Sequence, residues 1–98
     1  MTNSALAEPD IDHERQRLIA ELAADSGDDW ARDYLPGTSG CHELLDRTAL
    51  FADMLERHMV PHPACVANAE WFELAERAAS ALHELYQRIG AEHLAAEK

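Results

Sequence analysis

Ninety-eight residues, 47% of them apolar, suffice for one small domain with a packed core. Nineteen acidic side chains against eight basic ones leave a formal net charge of −11. That balance argues against a nucleic-acid binder, which needs clustered lysines and arginines, and against docking on an anionic membrane surface.

Residues 1–9 read as a frayed polar terminus with neither the basic region nor the apolar run of a secretory signal. No stretch approaches the roughly 18 apolar residues of a membrane span, so a cytoplasmic protein is expected. A first helix is predicted over 12–24. Asp10 or Asp12 is placed to cap it, and Ile11, Leu18, Ile19 and Leu22 share one face. The run Asp25-Ser26-Gly27-Asp28-Asp29 breaks it. Trp30 to Leu35 has the length of one or two helical turns, and Pro36-Gly37-Thr38-Ser39-Gly40 is a stop. Up to Asp33 the chain carries nine acids and three arginines, so over half of the excess negative charge lies in this third.

A long helix is predicted over 41–60, with Ser39 or Gly40 as N-cap and Glu43 in its first turn. At 100° per residue Leu44, Thr48, Phe51, Ala52, Leu55 and Met59 cover one broad face, and Glu43, Asp46, Arg47, Asp53 and Arg57 the other. Leu50 and Met54 interrupt the charged side at i, i+4. Pro61 ends this helix and Pro63 keeps the connector 61–67 extended. A second long helix is predicted over 68–94, capped by Asn68. Its stripe is Trp71, Leu74, Ala75, Ala78, Leu82, Leu85, Tyr86 and Ile89, with Phe72 at the edge. Gly90 either ends this helix or sits within it, and 95–98 is a tail. Nothing alternates with a period of two, so the fold class is all-α: an antiparallel helical hairpin with an N-terminal helix and linker over 10–40.

Each hairpin helix presents a stripe wider than one helix contact covers. Pairing two hairpins into a bundle is the simplest remedy at this chain length, so a homodimer is expected. Leu50, Met54 and Phe72, apolar outside the main stripes, are the candidate interface residues.

The two cysteines lie at opposite ends of the first long helix, about 28 Å apart at 1.5 Å per residue. That is too far for a disulfide, and free thiols are expected. Two clusters are worth weighing as metal or ligand sites. His58-x3-His62-x2-Cys65 places three donor side chains around one bend, although Pro61 interrupts the helical face and the spacing matches no zinc pattern. Cys41 and His42, at the start of one hairpin helix, face His93 near the end of the other. A thiol in a helix's first turn favours thiolate, so this group has the parts of a nucleophile and base or of a metal site. No orienting residue or oxyanion donor accompanies it, and no catalytic residue is assigned.

Three functional classes remain. The favoured one is a small non-catalytic helical protein that works by association, as an oligomer or as an adaptor for another protein. The second is a bundle that binds a transition metal or ligand through Cys41, His42 and His93 or through His58, His62 and Cys65. The third is an acidic inhibitor that imitates nucleic acid in a basic groove. No cofactor is expected in the first and third.

Overall fold

A computed structural model describes residues 8–96. Every element among them is helical: α1 (Glu8–Ser26), a 3-10 helix (Trp30–Tyr34), α2 (Ser39–Met54), a π-helical turn (Leu55–Met59), the short α3 (Pro63–Val66) and α4 (Ala69–Ala96). None is long and apolar enough to cross a membrane. The chain divides into two compact units, Met1–Arg32 and Asp33–Lys98.

In the first unit α1 begins at Glu8, earlier than the predicted start, so Asp10 and Asp12 lie inside its first turns and do not cap it. The expected frayed stretch 1–9 otherwise falls outside the described residues. Ile11, Leu18 and Leu22 share a face but are exposed, with Ile19 and Ala23 half-buried. Arg17 braces the polar side by bridging Glu14 and Glu21. The arginine's hydrogen bond holds the Glu14 carboxyl below its usual value. This brace is therefore present at neutral pH and is lost as the pH falls through that lowered value.

The second unit is the hairpin. Its buried α2-side positions are Cys41, Leu45, Thr48, Ala52 and Leu55. They succeed one another at steps of four, three, four and three. This is the narrow seam of a coiled coil, not the broad stripe of a globular helix. α4 answers with Phe72, Ala75, Ala79, Leu82, Ile89 and His93, all buried or half-buried, and Tyr86 completes the same alternation. The register is antiparallel: His42 meets His93, Leu45 lies over Gly90 and Glu56 pairs with His83 at 2.9 Å.

The seam is narrower than the expected stripes, and that corrects the expected core. Of the stripe expected on α2 and the turn after it, Thr48, Ala52 and Leu55 are buried, while Leu44, Phe51 and Met59 are exposed. On α4, Trp71 and Leu74 are 56% and 54% exposed, and Leu85 and Tyr86 also face solvent. The helices meet along one alternating row in which Cys41, Thr48, Ala52, Ala75 and Ala79 are interspersed with Leu45, Leu55, Phe72, Leu82 and Ile89, so Leu44, Phe51, Trp71 and Leu74 flank the contact. Thr48 is buried without penalty because its hydroxyl donates to the Leu44 carbonyl at 2.8 Å.

The ends show why the helices stop where they do. The N-cap of α2 is Thr38, one residue before the expected Ser39 or Gly40, and its Oγ1 accepts from the Cys41 N–H at 3.2 Å. Asn68 caps α4 as expected, accepting from the Trp71 N–H at 3.1 Å. Before Pro61 the ladder widens: the Val60 N–H donates to the Leu55 carbonyl at 3.0 Å, five residues back. The connector, expected to be extended, makes one helical turn, α3, started by His62 Nδ1 accepting from the Ala64 N–H at 3.0 Å. Both cysteines are free, Cys41 buried and Cys65 half-buried.

Two glycines with opposite surroundings test this packing. A methyl on Gly40 would overlap the Asp33 carbonyl and the Tyr34 ring, whereas one on Gly90 would lie 3.7 Å from Leu45 Cδ1, an ordinary contact. Gly40→Ala is expected to destabilise by about 1–3 kcal/mol. Gly90→Ala is expected to stabilise by roughly 0.5–1 kcal/mol through helix propensity. Urea denaturation midpoints moving in the same direction would contradict the packing described.

Candidate functional site

The open end of the hairpin is where backbone and titratable groups converge. The turn ahead of α2 carries Gly37 at φ +94°, in the region that favours glycine. It lies against the last turn of α4, since a methyl on Gly37 would come within 3.2 Å of Ala96 Cβ. In this position the Gly37 N–H donates to His93 Nδ1 at 2.9 Å. His93 is fully buried.

A backbone N–H only donates, so Nδ1 of His93 is an acceptor and the proton of the neutral ring sits on Nε2. Nε2 lies 3.3 Å from His42 Nδ1. The other His42 nitrogen lies 3.5 Å from Asp46 Oδ2, at ion-pair range. The rings are tilted by 46°, with centroids 5.3 Å apart. The contacts thus run from the Gly37 amide through buried His93 to exposed His42 and a surface carboxylate beside it.

Two of the three residues named from sequence at this end, His42 and His93, are thus in contact, and Cys41 is buried in the seam beside them. A pair of zinc ligands would also sit about 3.3 Å apart. The positions of the protons separate the two cases. A neutral imidazole bound to metal through Nε2 carries its proton on Nδ1, and in His93 that nitrogen already faces the Gly37 N–H. Hydrogen bonding fits the geometry and metal ligation does not. Among the described residues, no group of three or more His, Cys, Asp or Glu side chains is arranged to hold a metal ion. A nucleophile must also reach its substrate, and Cys41 is shielded.

At the closed end His58, His62 and Cys65 line one groove of about 530 Å³ together with Leu55, Met59, Trp71 and Leu74. The walls are almost wholly apolar, and one His62 nitrogen is already engaged with the Ala64 N–H. Leu50 and Met54 are exposed on α2 and Phe72 is half-buried. Sequence reasoning missed Gly37 and Asp46, the two ends of the histidine chain. Pro36-Gly37 marked a turn but not its contact with His93, and the i, i+4 spacing from His42 was the signal for Asp46.

No family model, curated protein or solved structure matches this chain.

Replacing His93 by Ala would strand the Gly37 amide and open a cavity at a fully buried position, at an expected cost of about 2–4 kcal/mol. His42→Ala, at a side chain 53% exposed, is expected to cost less than about 1 kcal/mol. Thermal unfolding of the two variants side by side checks this ranking, and equal losses would contradict it.

Proposed function

We propose that this protein acts by association, and that the surface it uses is the apolar flank of the hairpin, paired with a second copy of the same chain. One observation carries the reading. The seam is a single alternating row on each helix, so Leu44, Phe51, Met59, Trp71, Leu74 and Leu85 stand uncovered beside it.

The geometry of that side is set by the groove. Leu55 and Met59, at the end of α2 and in its π-turn, meet Trp71 and Leu74 of α4 along one wall. Phe51 lies one turn before Leu55 and Leu44 two turns before Phe51, on the same side of α2 at 100° per residue. Leu85 lies three turns after Leu74 on the same side of α4. The opposite side of the layer is mixed, with Asp53, Glu56 and His83 beside Ala49, Ala52 and Tyr86. One broad apolar face set against a mixed one is the mark of half a bundle.

Area and charge favour a second copy. Leu44, Phe51, Met59, Trp71, Leu74 and Leu85 are all exposed. Side chains of this size leave on the order of 600 Å² uncovered, so two faces would bury roughly 1,200 Å², within the range of a specific interface. A single helix with a three-residue stripe, such as α1, is too narrow to cover a face two helices wide. Glu43–Arg47, Glu73–Arg77 and Glu84–Arg88 along the edges of the face are paired at 3.0, 2.6 and 3.0 Å, which limits the like charge that two copies oppose. Leu50 and Met54 form a smaller patch on the far side of α2 from the seam, suited to a secondary contact.

Light scattering and sedimentation test the reading on wild type, Phe51→Glu/Leu74→Glu and Leu50→Glu/Met54→Glu. The wild type is expected at twice the 10.9 kDa of one chain. The first variant is expected to run as a monomer with unchanged helical circular dichroism, because both residues are exposed in the single chain. The second is expected to stay dimeric. A wild type that is monomeric at every concentration, or a dimer indifferent to Phe51→Glu/Leu74→Glu, would overturn the proposal.

A further inference from the structure

We propose that the two copies stack antiparallel, so that the open end of each hairpin, carrying Leu44 and Glu92, covers the groove at the closed end of the other. This rests on the reading above that two copies pair through the apolar face. It adds which part of the second copy occupies the groove, and it follows from the heights of the face residues, the charges at the two ends and the hollow at one of them.

The heights follow from the register. His42 meets His93 at the open end. Phe51, nine residues along α2, and Leu85, eight residues back along α4, therefore lie at about the same level. Leu44 stands seven residues from Phe51 toward the open end, and His58 seven residues from it toward the closed end. Glu92 stands seven residues from Leu85 toward the open end. It is also five full turns beyond Leu74 at 100° per residue, so it continues the row of Leu74 and Leu85 along the face. Each seven-residue step is about 10 Å at 1.5 Å per residue. A twofold axis crossing the face at the level of Phe51 and Leu85 exchanges the two ends. Leu44 and Glu92 of one copy then arrive at the height of His58 and the groove of the other.

Charge selects this stack over the parallel one. The chain has 19 acidic side chains, yet none lines the groove, whose ionisable residues are His58, His62 and Cys65. His62 Nδ1 already accepts from the Ala64 N–H. The His58 ring and the Glu92 carboxylate hold no side-chain hydrogen bond or ion pair among the described residues. Stacked antiparallel, the copies bring each Glu92 to an end that offers imidazole donors and no acid in the groove wall. Stacked in parallel, they gather both Glu92 and both Glu43 carboxylates at one end, and juxtaposed like charge disfavours that pairing. The hollow argues the same way. A parallel stack sets one groove of about 530 Å³ over its copy and leaves both unfilled, whereas the antiparallel stack lowers Leu44 onto the groove.

Spin-label distances on the full chain read the orientation. A label on Ala67→Cys in a Cys65→Ser background marks the closed end at an exposed residue outside the groove, and buried Cys41 stays unlabelled. The two labels of a dimer are expected about 50 Å apart, since residue 67 lies 18 residues from Leu85; a parallel stack would bring them within about 25 Å. Sedimentation supplies a second reading. His58→Glu opposes a carboxylate to Glu92 at both junctions and is expected to weaken dimerisation about tenfold. Adding Glu92→Lys is expected to restore affinity to within about threefold of wild type. His58 and Glu92 are exposed in the single chain, so helical circular dichroism is expected to stay unchanged in both variants. Short label distances in a dimeric protein would overturn the antiparallel stack and leave the association standing, whereas a wild type that is monomeric at every concentration overturns both. A His58→Glu variant that pairs as tightly as wild type, or a double variant as weak as the single one, would also overturn the stack.

Discussion

Everything distinctive about this hairpin descends from the narrowness of the seam between its two long helices. Cys41, Thr48, Ala52, Ala75, Ala79 and Gly90 alternate along it with Leu45, Leu55, Phe72, Leu82 and Ile89. A seam one row wide leaves the neighbours on either side of it exposed. Phe51, Trp71 and Leu74, which would anchor the interior of a solitary bundle, are pushed to the flank. A core this thin suits a layer that has something laid upon it.

The seam ends on an imidazole, at the place where the turn ahead of α2 delivers the Gly37 N–H. His93 fills that place with an apolar body and two nitrogens, each with a partner. A phenylalanine of similar size would leave the Gly37 amide unsatisfied, at a cost of roughly 1–3 kcal/mol. The buried histidine thus belongs to the architecture as much as to any chemistry.

The hairpin itself was legible in the residues. Leucines and aromatics recur at helical spacing on either side of Pro61 and Pro63, and no alternation competes. The cap at Asn68 was legible too, because an asparagine ahead of an acidic first turn has few other meanings. The phase of the contact was not. Phe51 and Trp71 pull the expected faces roughly 30–50° away from the true ones at 100° per residue, although Thr48, Ala52, Leu55, Ala75, Leu82 and Ile89 lie on both. The meeting of His42 with His93 was implied by the antiparallel topology alone. The Gly37 contact was not, because a backbone donor 56 residues distant leaves no trace in the pattern of side chains. Thr38 rather than Ser39 caps α2, a one-residue difference among three adjacent candidates.

The π-turn over Leu55–Met59 carries a last implication. A five-residue loop of backbone is what a helix adopts when it holds one residue more than its turns require. Upstream of it α2 keeps the phase of the seam. Within it, His58 and Met59 line the apolar groove together with Leu55 and Trp71. Leu55 belongs both to the seam and to the groove wall, so the extra residue ties the shape of the closed end to the packing of the rods that carry it.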